Sequence, residues 1–363
     1  MAIIAGQTFE VDRTNWNKQR IVESSFDTEL ADHEVLLKVD RFALTANNIS
    51  YCVSGDALGY WRFFPAEDNW GRIPAMGYGE AIASACPDVA IGERVFGFFP
   101  MSSHLKILAG ECSAASFSDI SEHRAGLSPF YAQFSRSAAN PFYRAENEDL
   151  EMLLRGLFTT SWLVEDFMFE NKHFGASQYL VTSASSKTSI ALALSVRERG
   201  THQAVGLTSN ANKDFVEGLG CYQQVIGYDE IASLDPEIGS ILVDMAGSAK
   251  ITAELHRHFA DQMLYSCKIG ATHINELRAS TESLPGARPE FFFAPTQLGK
   301  RAKEWGPAVL QKRLAQSLLN FMEFSKGNIQ VLQGQGPEAV QSTFQKVLAG
   351  TALPSEAFVL SLS

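Results

Sequence analysis

The sequence predicts an α/β protein of two domains, with a doubly wound parallel sheet in the second half and a mostly β domain that joins the first half to the C-terminus. A chain of 363 residues with 45% hydrophobic content is long enough to bury two cores. At Asp149 the pattern changes from irregular β segments to alternating helices and strands, and β character returns near the C-terminus. We place the first domain at residues 1–150 and 298–363 and the second domain at residues 151–297.

The first 110 residues are predicted to be mostly β. Residues 34–39 alternate as a half-buried strand, and residues 92–99 form another strand entered through a glycine turn. The short apolar pieces between them, broken by Gly and Pro, are typical of antiparallel or barrel-like packing. An irregular aromatic-rich segment at residues 128–148 predicts either a loop packed on a core or a lid over a pocket.

The second half is predicted to alternate helices with short apolar strands, which is typical of a parallel sheet covered on both faces. The predicted helices are residues 150–171, 188–199, 212–219, 308–324 and 337–348. The predicted strands are residues 178–182, 204–207, 224–226, 240–244, 262–266, 290–293, 329–332 and 357–360.

The charge of the chain excludes some classes of partner. A formal net charge of -11 without any basic run argues against binding to nucleic acid or to an anionic membrane surface. No uncharged apolar stretch reaches the roughly 18 residues that a membrane span requires. Since the N-terminus also lacks the pattern of a secretory signal, we expect a cytoplasmic protein.

The five cysteines are widely scattered and include no C-x-x-C pair. We therefore expect reduced thiols that act as small packing residues, and no structural zinc lobe, since such a lobe needs closely spaced thiolates. The five are Cys52, Cys86, Cys112, Cys221 and Cys267.

The loop at residues 183–189 is the main indication of a ligand. In a doubly wound sheet the first strand is followed by a loop and a helix N-terminus that receive a pyrophosphate. Apart from Lys187 the residues are small, and the hydroxyls of the serines and the threonine add donors. These small residues are Ser183, Ala184, Ser185, Ser186, Thr188 and Ser189. A helix cap without a ligand is the alternative interpretation. A Walker A loop is excluded because Val181 and Ser186 stand at its two glycine positions.

The end of the second parallel strand bears on the kind of nucleotide. An acidic residue here binds the ribose 2′-hydroxyl of NAD and repels a 2′-phosphate. This chain has Thr208 and Ser209, followed by Lys213, which favours NADP(H). In the alternative interpretation, Asn210 or Asn212 caps the next helix and Lys213 is solvated.

Seven segments, in this order along the chain, resemble motifs of the medium-chain dehydrogenase/reductase superfamily, in its zinc-independent branch of quinone oxidoreductases and enoyl reductases. EVLLKV at residues 34–39 resembles "GEVLVKV", ALTANN at 43–48 resembles "GLNPVD", PAMGYG at 74–79 stands at "P-x-L-G-H-E", IGERV at 91–95 matches "VGDRV", LFTTSW at 157–162 resembles the "TA-W" helix, FVEGLGC at 215–221 resembles "LGA", and VDMAG at 243–247 resembles "DSVG". The resemblance covers nearly the whole chain.

The departures from the family pattern are also informative. Tyr78 stands where zinc-dependent members have a histidine ligand, and no cysteine matches their first ligand, so we expect no catalytic zinc. Where the family has A-x-x-G-x-x-G, this chain has Thr182, Ser185 and Thr188, a cofactor loop without glycine.

The resemblance implies a Rossmann cofactor domain, a GroES-like substrate domain, and hydride transfer from NADPH to a quinone or α,β-unsaturated carbonyl. At the family's catalytic positions stand Thr45, Asn48, Tyr51 and Tyr78. Asn48 replaces an Asp found in many relatives. The two tyrosines are candidate donors to the substrate oxygen, with core packing of a satisfied hydroxyl as the alternative interpretation.

The resemblance also assigns cofactor-binding positions. Besides the loop, Thr208, Ser209 and Lys213, these are Tyr228, placed at the adenosine end, Gly247 and Gly270. By analogy we expect a homodimer. Two alternatives remain open: an acyl or polyketide enoyl reductase, and a catalytically silent dinucleotide-binding sensor or scaffold.

Overall fold

A computed structural model describes residues 3–269 and 283–363 of the chain. The chain divides into two units, the first comprising Met1–Leu153 and Gln330–Ser363 and the second comprising Leu154–Ile329. The second unit is thus inserted into the sequence of the first.

The strands of the N-terminal part pair antiparallel. The elements are β1 (Ile3–Asp12), β2 (Asn15–Asp27), β3 (Glu34–Leu44), α1 (Ala46–Val53), β4 (Trp70–Gly71), β5 (Pro74–Ser84), β6 (Arg94–Pro100), β7 (His104–Gly110), β8 (Ser116–Asp119) and β9 (Gln133–Arg136).

Alternating helices and strands follow, and most lie close to the predicted positions, but the helices at Ala249–Phe259 and Ala294–Trp305 were not predicted. The elements are α2 (Glu148–Glu170), β10 (Gln178–Val181), α3 (Lys187–Arg199), β11 (Gln203–Thr208), α4 (Lys213–Gly218), β12 (Gln224–Gly227), β13 (Ser240–Asp244), α5 (Ala249–Phe259), β14 (Met263–Lys268), β15 (Pro289–Phe291), α6 (Ala294–Trp305) and α7 (Pro307–Lys326). The chain ends with β16 (Gln330–Gln335), α8 (Pro337–Leu348) and β17 (Glu356–Ser361).

The main sheet of the first unit closes on itself. Its strand order is β16-β17-β3-β5-β6-β9-β8-β7, and the additional pairing of β7 with β3 joins the ends of a six-stranded barrel. A separate sheet has the order β2-β1-β4. Fully buried aliphatic and aromatic side chains such as Val35, Leu37, Phe99 and Phe117 form the core. The predicted barrel-like packing is confirmed.

The second unit contains a six-stranded parallel sheet with the order β12-β11-β10-β13-β14-β15. Starting from the edge at β12, this strand order is that of the doubly wound dinucleotide-binding fold. Its first strand in the sequence, β10, lies beside the point where the strand order reverses. Its core contains Leu180, Val205, Leu207, Ile226 and Leu242. The predicted doubly wound sheet is confirmed.

Helices α6 and α7 belong to the second unit, whereas the sequence places the boundary at residue 298. Phe321 of α7 stacks on Phe158 of α2 at a centroid distance of 5.6 Å, and Arg301 of α6 forms a 2.6 Å ion pair with Asp166 of α2. These contacts fix both helices on α2, so the boundary lies at residues 329 and 330.

The aromatic segment at residues 128–148 is integrated into the first unit. Its strand β9 pairs with both β6 and β8, and Phe134 is fully buried. The Tyr131 ring stacks on Phe98 with centroids 4.5 Å apart. These contacts support the packed-loop interpretation over the lid.

Across the described ranges, no helix is both long enough and apolar enough to span a membrane.

Candidate active site

The loop after β10 begins with a backbone conformation that normally favours glycine. Ser183 has φ 51°, in the left-handed region. Its backbone N–H donates to the Tyr228 hydroxyl at 2.9 Å, which holds the turn in place. A side chain in this conformation costs on the order of 1 kcal/mol. The chain therefore makes the tight turn of a dinucleotide loop without the glycine that usually makes it.

Two serines of the loop serve the helix that follows. Ser186 is the N-cap of α3, and its Oγ accepts a hydrogen bond from the Ser189 backbone N–H at 3.1 Å. The Ser186 hydroxyl donates to Ser189 Oγ, and the Ser189 hydroxyl donates to the Thr182 carbonyl at 2.9 Å. The cap interpretation therefore holds for these two residues, whose hydroxyls are committed to the loop itself.

Two backbone donors of the loop, the N–H groups of Ser185 and Thr188, have no such commitment. Within residues 3–269 and 283–363, the backbone N–H groups of Ser185 and Thr188 donate to no protein acceptor. They lie at the N-terminus of α3, where the helix dipole favours negative charge. Lys187, the first residue of α3, adds a cation to the same turn. This arrangement fits an anion such as a phosphate group.

The close approach of the loop to the sheet depends on a glycine in the neighbouring strand. A Cβ at Gly206 of β11 would lie 3.0 Å from both Ala184 Cβ and the Tyr222 ring. Ala184 is held on both sides, because its N–H donates to the Leu207 carbonyl at 3.0 Å and its carbonyl accepts from the Tyr222 hydroxyl at 2.9 Å. The glycine that permits close packing thus lies in β11 and not in the loop.

A buried carboxylate fixes the turn after β13 beside this loop. Asp244 Oδ1 accepts from the Thr182 hydroxyl at 2.8 Å and from the backbone N–H groups of Ala246 and Gly247, and Oδ2 accepts from the Thr252 hydroxyl at 3.2 Å. Thr182 Oγ1 also accepts from the Met245 N–H at 2.8 Å. Sequence reasoning did not single out Asp244. Its signals in the sequence are its place at the end of an apolar strand and the match of residues 243–247 to "DSVG".

The residues predicted to bind a 2′-phosphate, Lys213, Thr208 and Ser209, differ in their partners and in their exposure. Lys213 Nζ forms a 2.6 Å ion pair with Glu230 Oε2, which also accepts from the Gly227 N–H at 2.7 Å. The hydrogen bond that Lys213 donates to Glu230 raises the pKa of Lys213. Thr208 is buried and Ser209 is exposed. Lys213 is therefore neither merely solvated nor unpaired, and a phosphate there competes with a carboxylate.

The remaining predicted cofactor positions also have internal partners. The resemblance places Tyr228 at the adenosine end, but its hydroxyl accepts from the loop N–H of Ser183. Asn212 does not cap α4, and its amide donates to Ser185 Oγ at 3.2 Å. Gly247 has φ 67° and donates its N–H to Asp244. Gly270 lies outside the described residues.

In the first unit, Thr45 and Asn48 form a structural pair at the start of α1. Asn48 Oδ1 accepts from the Thr45 backbone N–H at 2.7 Å and from the Thr45 hydroxyl at 3.1 Å. Asn48 Nδ2 donates to the Pro74 carbonyl at 2.7 Å. Because both ends of the amide are used, Asn48 caps α1 and fastens it to the start of β5.

Tyr78 is also committed internally. It is 1% exposed, and its hydroxyl donates to Glu151 Oε2 at 2.6 Å. The Arg94 guanidinium lies 5.3 Å from the centroid of its ring, and the Phe96 ring packs edge-on against it. These contacts match the packing interpretation of Tyr78.

Tyr51 differs from the other predicted residues because its hydroxyl stays available. Its ring packs against Tyr60 at 4.6 Å and edge-on against Phe98 at 5.6 Å. In the described part of the chain the hydroxyl has no hydrogen-bond partner. Burial, and secondarily the nearby Tyr131, raises the pKa of Tyr51 well above its ordinary value. The phenol is therefore a neutral donor at physiological pH.

Around Tyr51 lies an aromatic wall formed by Tyr60, Phe63, Phe98 and Tyr131. The Tyr60 and Tyr131 hydroxyl oxygens are 3.5 Å apart, and burial raises the pKa of both phenols. Phe63 packs edge-on against Phe98 and Tyr131. The residues that the prediction omitted here, Tyr60 and Phe63, follow α1 in a segment without periodicity, so the sequence gives little signal for them.

Solved structures of oxidoreductases share this fold over nearly their whole length. CurA from Vibrio vulnificus in complex with NADPH matches with a TM-score of 0.61 at 12% identity, covering 98% of this chain and 99% of that chain. A mutant enoyl thioester reductase from Candida tropicalis matches with a TM-score of 0.58 at 13% identity, covering 99% and 100%. The quinone oxidoreductase from Coxiella burnetii matches with a TM-score of 0.55 at 13% identity, also covering 99% and 100%.

These matches confirm the predicted fold, a doubly wound parallel-sheet domain with a mostly β domain. The chain belongs to the family described as "Protein of unknown function (DUF2855)", whose model matches residues 42–352. No curated protein matches the chain.

Proposed function

We propose that the chain is an NADP(H)-dependent oxidoreductase of the zinc-independent medium-chain dehydrogenase/reductase type, with a quinone or α,β-unsaturated carbonyl as substrate. The observation that carries this proposal is the start of α3, where the N–H groups of Ser185 and Thr188 remain available beside Lys187. The fold supports it, since CurA, which shares the fold, is solved with NADPH.

In this proposal the second unit is the cofactor domain. The start of α3 holds the pyrophosphate through backbone N–H groups, as helix N-termini do in doubly wound folds. Lys213 receives the 2′-phosphate after exchanging Glu230 for it. The bound cofactor supplies a hydride. Thr182, Tyr228 and Asp244 hold the backbone of the loops.

In this proposal the first unit is the substrate domain, and Tyr51 is the donor to the substrate oxygen. A neutral phenol next to aromatic rings stabilises the negative charge that develops on a carbonyl oxygen. The aromatic surroundings of Tyr51, which include the half-buried ring of Tyr131, suit a planar quinone or enone. Thr45 and Asn48 are positioning residues, because they fix the helix that carries Tyr51.

We also propose a homodimer formed through the edge of the parallel sheet. β15 is an edge strand, and Phe291 and Phe293 are 38% and 57% exposed beside it. An exposed edge with aromatic side chains is a surface that natural proteins generally cover. Sedimentation of the purified chain measures its oligomeric state. A monomer at micromolar concentration would contradict this part of the proposal.

Cofactor binding is tested by fluorescence titration with NADPH on the Thr188→Glu variant and its neutral match Thr188→Gln. A carboxylate in the first turn of α3 stabilises the helix dipole by roughly 0.3–1 kcal/mol but repels a phosphate. We expect the NADPH affinity to fall at least about tenfold in Thr188→Glu, with no loss of thermal stability, and to fall much less in Thr188→Gln. Equal NADPH affinity in both variants would place the phosphate elsewhere.

Turnover is tested by following NADPH oxidation with a panel of quinones and enones. We expect Tyr51→Phe to lower kcat on the order of a hundredfold without changing the NADPH affinity, whereas Tyr60→Phe, its neighbour in the aromatic wall, retains most activity. A protein that binds NADPH and reduces no member of the panel would favour the sensor or scaffold alternative.

A further inference from the structure

Two distant cysteines and an aspartate meet at one end of the barrel in the first unit. Cys86 and Asp88 follow β5, and Cys112 follows β7. The two cysteine sulfurs and one carboxylate oxygen of Asp88 all lie within 4.8 Å of one another. Cys86 is buried, Cys112 is half-buried and Asp88 is exposed, so the group is fixed in the protein but open to solvent on one side.

The backbone around these residues is held by several contacts. The Cys86 N–H donates to Ser84 Oγ at 3.2 Å, and the Val89 N–H donates to the Cys86 carbonyl at 3.2 Å, which closes a tight turn. Arg136 of β9 donates to the Asp88 carbonyl at 2.8 Å. Glu111, directly before Cys112, has φ 48° in the left-handed region. This uncommon conformation directs the chain sharply from β7 into the turn that carries Cys112.

We propose that Cys86, Asp88 and Cys112 form a binding site for Zn²⁺, with the fourth tetrahedral position open to water or another ligand. Thiolate sulfur and carboxylate oxygen are both zinc ligands in proteins. Tetrahedral geometry with Zn–S bonds of ~2.3 Å separates two sulfurs by ~3.8 Å. Ligand atoms that already lie within 4.8 Å of one another reach this geometry by small side-chain rotations.

Charge also suits a divalent cation at this place. Two thiolates and a carboxylate carry three negative charges, so the zinc-loaded group retains one. The Arg136 guanidinium, which contacts the Asp88 backbone and pairs with Glu93, stands beside the group to offset that charge. Two neighbouring cysteines alone would also suit a disulfide. The Asp88 carboxylate beside them favours a metal site, because a disulfide does not involve a carboxylate.

The site is separate from the proposed catalytic residues. Asn48 contacts Pro74 at the beginning of β5, whereas Cys86 lies beyond its end, so ~30 Å of strand separates the two places. The zinc ion would connect the turn after β5 with the turn after β7. Its role is to stabilise the barrel end and not to polarise a substrate.

The experiment uses the full chain, kept reduced with a phosphine and freed of metal by chelation. Zinc content after loading with Zn²⁺ is measured by plasma mass spectrometry, and Co²⁺ loading is followed through the thiolate-to-cobalt charge-transfer absorption in the near ultraviolet. We expect one equivalent of either metal in the unmodified chain, and an increase in Tm on zinc loading because only the folded state has the site.

Three variants and a control decide the outcome. Cys86→Ser and Cys112→Ser are expected to lose the bound equivalent and the cobalt absorption, while Cys221→Ser, a buried cysteine in the second unit, keeps both. Asp88→Asn changes an exposed side chain, leaves the fold intact and lowers the zinc affinity at least tenfold. Absence of stoichiometric zinc in the unmodified chain, or zinc retained after Cys86→Ser with Cys112→Ser, would overturn the proposal.

Discussion

In the second unit, the hydroxyls of Ser186 and Ser189 form hydrogen bonds within the loop after β10, and the backbone N–H groups of Ser185 and Thr188 remain available. At the start of α1 in the first unit, Thr45 and Asn48 form hydrogen bonds with each other, and Asn48 also donates to the Pro74 carbonyl. The Tyr51 hydroxyl on the same helix remains available. Both regions are rich in polar residues. What distinguishes a binding group from a structural one is the hydrogen-bonding capacity that the fold leaves unused.

The largest expected effect comes from Asp244→Ala, which removes the carboxylate that fixes the loop region of the second unit. Because the hydroxyls of Thr182 and Thr252 and two backbone N–H groups lose their acceptor, we expect the free energy of unfolding of this unit to fall by about 3 kcal/mol. Urea unfolding measures the fall, and Thr252→Val, which removes one donor only, is the control. A loss below about 1 kcal/mol would show that the loop holds itself without Asp244.

The next effect separates the two side chains of α1. Asn48→Ala leaves the Thr45 N–H and the Pro74 carbonyl without partners, so we expect the first unit to lose about 2 kcal/mol of unfolding free energy. Tyr51→Phe removes a hydroxyl that has no protein partner in the described ranges, so the change should stay within about 0.5 kcal/mol. If Tyr51→Phe destabilised as much as Asn48→Ala, Tyr51 would be structural too.

A smaller effect is expected at the ion pair of Lys213 and Glu230. Glu230→Gln keeps an acceptor for the Gly227 N–H but removes the charge that competes with a phosphate. We expect Glu230→Gln to bind NADPH several-fold more tightly and NADH with unchanged affinity. We expect Lys213→Ala to bind NADPH several-fold more weakly, again with unchanged affinity for NADH. Parallel fluorescence titrations with the two nucleotides measure this selectivity. Equal gains for both nucleotides in Glu230→Gln would remove Lys213 from the 2′-phosphate site.

The smallest effect is expected at Ser183. Since glycine adopts the left-handed region without the clash that a side chain makes, Ser183→Gly should raise the free energy of unfolding by about 0.5 kcal/mol. Thermal unfolding measures the gain, and Ser185→Gly, at a neighbouring position without positive φ, is the control and should not gain. A loss in Ser183→Gly would mean that its hydroxyl makes a stabilising contact.

The sequence predicted the features that depend on local patterns. Apolar strands separated by helices indicated the parallel sheet, and β10, β11 and β13 lie within two residues of the predicted strands. The loop at residues 183–189 was predicted from its position after the first strand. These features follow from the period of hydrophobic residues and from chain order, which a single sequence displays.

Contacts between residues that are distant along the chain could not be predicted from local patterns. Asn48 is paired with Pro74, Tyr78 with Glu151, and Cys86 lies near Cys112 only because β7 returns to close the barrel on β3. No local pattern encodes these pairings, so the polar residues that the family resemblance offered as catalytic could not be separated from those that hold the fold together. The proximity of Cys86 to Cys112 was likewise invisible in their spacing along the sequence.

The pairing of β17 with β3 has a consequence for how the protein is made. Leu44 pairs with Phe358, so the sheet of the first unit cannot be completed until β17 has left the ribosome. The inserted second unit has all of its strands and helices by residue 329 and can fold earlier. Its folding shortens the flexible loop that must close between β3 and β17, which lowers the entropic cost of that late step. We therefore expect truncation of β17 to leave a folded second unit attached to an unfinished barrel.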